Sequence, residues 1–351
     1  MATAPQNGIA GSILAPGSCV LPVLLGAVVC CVSVSGGCEP DSPSRPSKHA
    51  VHIVIIGEAK DEPTWPVIRS AAAWLTDYLD EVTVESVAPE TSSPRAQLEL
   101  LKECSDREVS AVCILPLDPE SLRAAIDALV QSGKPVLTFG RDVEGSARVS
   151  YCGPSEIDLG EAAAEACLAT MDDPIKTVIL LSSKAERYGR RTRAFKRALK
   201  RTPRAELMRE VKCEPSALDA MRVVRQESRM YPRVGAWVFL DDWPLRGLEA
   251  DERLVPRRCR IVVCDGSPVY FENLRNGEIY SLIGYDVREA AREVLLAAVR
   301  AASVDEDLPR FNEAGRVTIV PQFTAPTEII TRRNVDAHAA RWAEWRTHVR
   351  E

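Results

Sequence analysis

Histidine is scarce. The 351 residues hold four, at positions 49, 52, 338 and 348, so the whole body of the chain between them has none. The commonest general base and metal ligand is therefore missing where a catalytic site would lie. Gly-x-Ser-x-Gly, His-Glu-x-x-His and Gly-x4-Gly-Lys-Ser/Thr are also absent, which removes the usual hydrolase, zinc-protease and nucleotide-phosphate signatures. No Cys-x-x-Cys occurs among eleven cysteines, so spacing supports neither a zinc site nor a disulfide framework, and the body cysteines read as small buried hydrophobes. Basic residues are spread through a chain of net charge −6, which argues against a nucleic-acid partner. No Lys or Arg precedes Arg45, so a basic start to a leader is lacking too.

The first 48 residues nevertheless differ from the rest. Val20 to Val34 is apolar and rich in small residues. It is shorter than the roughly 20 residues that span a bilayer but suits the core of a secretory signal. Ser35-Gly36-Gly37-Cys38 follows, with the form of a bacterial lipobox, and then a Pro/Ser-rich spacer over 39–48. The reading is an exported, envelope-located protein lipidated at Cys38; an uncleaved anchor or a mis-assigned start is the alternative.

From His49 onward, strand and helix patterns alternate. Val51 to Gly57 is a continuous apolar run, as expected of a strand buried on both faces. A helix is predicted around Val67 to Leu79. Residues 109 to 142 carry an apolar run, a helical pattern with Leu122, Ile126 and Leu129, and a second apolar run ending at Gly140-Arg141-Asp142: a right-handed βαβ unit. The same rhythm restarts after Cys152. Further strands end at Ser182-Ser183, Asp241-Asp242 and Asp265-Gly266, and an amphipathic helix runs over Val287 to Ala301. The predicted fold class is α/β, with two tandem doubly wound parallel-sheet domains. Short strands are expected over Val317 to Pro321 and Glu328 to Thr331. The tail over 332–351, with Trp342 and Trp345, reads as an amphipathic helix that packs on the body or meets a partner.

Open parallel sheets bind ligands beyond the carboxyl ends of their strands. Standing there are Trp65 in the loop after the first strand, Arg141, then Arg191, Asp241 and Asp265. An aromatic with arginines and carboxylates suits a small polar ligand. Each residue has a plainer alternative. Trp65 could be a rim or core aromatic, Arg141 a partner of Asp142, Arg191 part of a solvated basic face, Asp265 a turn residue, and Asp241 one of a crowded loop. Paired carboxylates at 241 and 265 leave open a metal- or carboxylate-dependent enzyme.

Several segments resemble the type I periplasmic binding proteins, of the ribose-binding, sugar-transporter kind, over about His49 to Arg332. They are KPVLTFGRDVEG (134–145), RVSYCGPSEIDLGEAAAE (148–165), RRTRAF (190–195) and VVCDGSPVYFENLRNGEIYSLIGYDV (262–287). The resemblance implies two subdomains joined by a three-stranded hinge, 49–154 plus 287–324 and 155–286 plus 325–331. It implies a monomer without cofactor or metal that closes on a sugar or polyol and presents it to an ABC permease. A membrane-tethered sensor of the same fold is the alternative; a repressor would need a DNA-binding helix-turn-helix before residue 49, where the chain is apolar. Position by position, ligand roles fall on Trp65, Arg141, Arg191, Asp241, Asp265 and Tyr285. The chain departs from the pattern at three places. Gly140 stands where the family has Asp, Leu115 where it often has Asn, and Thr64 where it has an aromatic. The expectation is a different ligand, or weak binding.

Overall fold

A computed structural model describes residues 50–169, 176–183, 187–213, 216–246, 254–303 and 321–347. Cys38, the leader, the spacer and the expected strand residues 317–320 lie outside them. Two six-stranded sheets organise the chain. The first begins with β1 (Val51–Ile56), α1 (Thr64–Tyr78), β2 (Val82–Val87), α2 (Pro94–Glu103), β3 (Ala111–Ile114), α3 (Pro119–Gln131), β4 (Val136–Phe139) and β5 (Ser150–Gly153). The second comprises α4 (Glu156–Ala169), β6 (Lys176–Ser183), α5 (Arg187–Leu199), β7 (Ala205–Cys213), α6 (Ala217–Met230), β8 (Ala236–Phe239), β9 (Arg260–Val263), α7 (Phe271–Arg275) and β10 (Ser281–Tyr285). The chain closes with α8 (Val287–Ala302), β11 (Gln322–Thr324), β12 (Thr327–Thr331) and α9 (Val335–Thr347).

Strand orders are β2-β1-β3-β4-β5-β11 and β7-β6-β8-β9-β10-β12. Every pairing is parallel except β10 with β12. The alternation of β1 explains its unbroken apolar sequence. Ile53 and Ile55 enter the layer shared with α1 and α8, while Val54 and Ile56 enter the layer shared with α2 and α3, as a period of two requires. Helix starts are written locally. Ser93 accepts from the Ala96 N–H ahead of Pro94, and Asp286 accepts from the Glu289 N–H to cap α8, each satisfying a donor the helix itself leaves unpaired.

The chain passes between the sheets three times. It leaves β5 through Pro154-Ser155, returns after β10 through Asp286, and passes from β11 to β12 through Ala325-Pro326. The first and third crossings are tied by the Ala325 N–H donating to the Gly153 carbonyl, 2.9 Å. The Tyr151 hydroxyl donates to Pro154 O at 2.9 Å and props the same place.

Helix α9 lies over this junction. Arg341 pairs with Glu328 of β12 at 2.7 Å, and Arg275 of α7 pairs with Asp336 at 2.9 Å. Trp342 and Trp345 join the core of the second sheet, and Val67 of α1 belongs to the same buried cluster. Glu344 reaches Arg288 of α8 at 3.6 Å. The tail helix therefore touches both halves. Among the described residues no helix is long and apolar enough to cross a membrane. The seven body cysteines are buried and form no disulfide among the described residues; burial pushes the thiols of Cys152, Cys167, Cys259 and Cys264 up to about 12, so they stay protonated and unreactive.

Candidate functional site

Between the sheets lies a cavity of about 790 Å³, lined from the first sheet's side by Glu58, Gly140 and Arg141, and from the second's by Tyr188, Asp241, Asp265 and Tyr285. That volume suits a small organic ligand. Arg190 of α5 and Glu144 of the loop after β4 form a 2.6 Å ion pair across it.

The first wall is set by strand ends. Arg141 follows β4 and is held, among the described residues, through Nη1, which donates to Glu58 Oε1 (2.7 Å), Pro116 O (2.5 Å) and Leu117 O (3.1 Å). Burial works against its charge, but the carboxylates of Glu58 and Asp241 outweigh burial and keep the guanidinium protonated. The alternative Arg141–Asp142 pair is not formed, because Asp142 binds Arg148 on both oxygens. Beside Arg141, Gly140 has φ +65°, a conformation that favours glycine. A Cβ there would lie 2.5 Å from Leu115 Cδ1 and 2.6 Å from the Tyr285 hydroxyl.

The second wall is acidic. Asp241 accepts from the Tyr188 hydroxyl and from the Asp242 N–H. Asp265 accepts from the Ser267 N–H at 2.6 Å, so it makes a turn and faces the cavity at once. Asp242 lies behind them, accepting from Tyr270 and from Arg246 on both oxygens. Burial, then the Asp241 charge, raises the Asp242 carboxyl to about 6. Burial and the charges of Asp242 and Asp241 push Asp265 well above the usual carboxylate range. The three carboxylates come within 4.8 Å of one another. In distance alone they could share a cation, but Arg246 already supplies positive charge to Asp242.

Two expectations need correcting. Trp65 does not line the cavity; it is 8% exposed and buried with Ile68, Ala72 and Leu75 in the first sheet's core. Helix α1 starts at Thr64, earlier than predicted, and turns Trp65 inward, where a Cβ on Gly57 would stand 2.8 Å from its ring. Thr64 meets the cavity in its place, with a buried hydroxyl that has no hydrogen-bond partner among the described residues. Arg191 does line the cavity and is not on a solvated face, since it is 9% exposed. Each of its nitrogens already donates once: Nε and Nη2 bind Glu156 at 2.7 and 2.9 Å, and Nη1 binds Leu240 O. It is a strut between α4, α5 and the end of β8.

The structure brings Arg141, Asp241, Asp265 and Tyr285 together on one cavity. Sequence reasoning missed Glu58, Tyr188 and Glu156. Glu58 stands just past β1, where the strand-end rule could have found it; nothing local marked the other two.

Residues 53–306 match the family described as periplasmic binding protein domain. No curated protein matches the chain. Among solved structures, an arabinose-binding protein from Geobacillus stearothermophilus is 18% identical with a TM-score of 0.69, covering 82% of this chain and 98% of its own. A sugar-binding protein of a sugar ABC transporter from Bacillus halodurans gives 18% and 0.70, covering 82% and 99%. A periplasmic ribose ABC transporter protein from Conexibacter woesei gives 15% and 0.68, covering 86% and 100%. At these identities the likeness is one of fold. The family match spans most of the chain, and the fold of two sheets joined by three crossings agrees with it: the chain belongs to the periplasmic binding protein family.

Proposed function

We propose that this protein captures a small polar solute, a sugar or sugar-like polyol, by hinge closure and presents it to an ABC permease. It acts as an exported monomer held at the membrane through Cys38 and carries out no chemistry on its ligand. The observation that carries the reading is convergence: hydrogen-bonding groups from both sheets face one cavity beside a hinge of three chain crossings. Only the closed form offers both sets of contacts, so ligand selects it. Arg141, Asp241, Asp265 and Tyr285 are the proposed contacts. Solved structures of similar fold include one with bound myo-inositol and one with D-allose, which supports a polyhydroxylated ligand.

The test is calorimetry with ribose, arabinose, galactose, glucose, allose and myo-inositol, paired with small-angle scattering. One of them should bind and reduce the radius of gyration. No heat and no compaction with any would overturn the reading.

A further inference from the structure

The cleft's first wall is built differently from what its sequence motif suggests. Gly140 offers no side chain, and the space beside it is filled from across the cleft by the Tyr285 hydroxyl and from below by Leu115. A carboxylate nevertheless stands next to Arg141. It comes from Glu58, 83 residues away and two strands over, past β3. Only Oε1 of Glu58 and only Nη1 of Arg141 are used in their pair. Glu58 Oε2, Arg141 Nε and Arg141 Nη2 make no hydrogen bond among the described residues, and both residues line the cavity. The Tyr285 hydroxyl likewise has no hydrogen-bond partner among them.

We infer that Glu58 is a ligand-binding and specificity-determining residue: with Arg141 it forms a donor–acceptor pair that receives a hydroxyl of the ligand, while Tyr285 fills the place beside Arg141 on its own strand. This rests on the solute-binding reading. A hydroxyl both donates and accepts, so it satisfies the open carboxylate oxygen and the open guanidinium nitrogens together. A ligand carboxylate or phosphate accepts only, and would face Glu58 with Asp241 and Asp265 on the opposite wall. The arginine charge that would welcome an anion is already matched at Arg141 by Glu58 and at Arg191 by Glu156. The pocket is therefore selective for neutral over acidic members of one sugar series.

The experiment compares wild type with Glu58→Gln, by calorimetry, against matched neutral and acidic probes (galactose with galacturonate, glucose with gluconate and glucuronate) and against the twenty amino acids as an unrelated set. Expected is wild-type preference for a neutral sugar, at least tenfold weaker binding of it by Glu58→Gln, and a narrowed neutral-to-acid ratio in that variant. Equal affinity of the two proteins, or wild-type preference for the acid, overturns the inference. If the wild type takes an amino acid and no sugar, the sugar reading fails separately: weakening of that ligand by Glu58→Gln supports Glu58 as a contact, and unchanged affinity overturns it. Melting curves of Glu58→Gln confirm that it is folded. A second variant keeps the packing claim open to refutation without any ligand. Gly140→Asn should lower the melting temperature in the wild-type background and lower it less beside Tyr285→Ala; additive losses would remove Tyr285 from that space.

Discussion

Arg190 and Glu144 meet at 2.6 Å across the mouth of the cleft, one from each half of the molecule, with 55% and 51% of their side chains exposed. A pair this accessible is worth about 0.2–1 kcal/mol and is screened by salt. Glu144→Ala should shift the ligand-free protein modestly toward the open form at low ionic strength. Single-molecule energy transfer between labels on the two halves should detect the shift, which should vanish in high salt. A large shift that persists in salt would mean the pair is not the contact responsible.

Trp65 offers a clean separation of core from cleft. Trp65→Ala should lower stability by about 3–5 kcal/mol, as large-to-small changes of buried aromatics do. Ligand affinity of the folded fraction should stay within about threefold. Denaturant unfolding and calorimetry measure the two effects, and a specific loss of affinity with stability intact would return Trp65 to the site.

Asp265 is expected to behave in the opposite way. Asp265→Ala removes an acceptor that faces the cavity and should weaken sugar binding by at least about 1.5 kcal/mol. Stability should hold or rise at neutral pH, because burial and two neighbouring carboxylates oppose its charge. Calorimetry beside thermal melts tests both halves of this prediction.

The acidic cluster also predicts a pH dependence. The Asp242 carboxyl is raised from 3.8 to about 6, first by burial and then by the charge of Asp241. Between those values the folded state holds a proton that the unfolded state has released. Its contribution to stability is thus complete below the unfolded pKa and lost as pH rises through about 6. The difference is on the order of 2–3 kcal/mol. Urea unfolding at about pH 4 and about pH 7.5 should show this decline in wild type and a flatter profile in Asp242→Asn. Equal slopes would show that Asp242 is not the titrating group.

The fold was legible because its signals are local. An unbroken apolar run such as 51–56, followed by a loop and a helical stripe, repeats down the chain, and each strand end marks a place to look. Asp241, Asp265 and Arg141 were found that way. Trp65 was misplaced because its position after the first strand outweighed a pattern also present: Trp65, Ile68, Ala72 and Leu75 share one face of a helix and are buried together. The roles of Glu58 and Arg191, as distinct from their places beside the cavity, depended on partners far along the chain. Glu58 finds Arg141 across 83 residues, and Arg191 finds Glu156 across 35. Such pairings follow from strand order and helix packing, which periodicity does not encode.

Helix α9 gives the hinge an optical handle. Trp342 lines the cavity while sharing a buried cluster with Val67 of α1, and Trp345 lies 5.5 Å from it, ring to ring. Covalently the helix follows β12; by packing it also rests on α1. Rotation of one half against the other must shear that contact and change the polarity around an indole. The angle between the two halves is thereby written into the emission colour of the protein's own tryptophans.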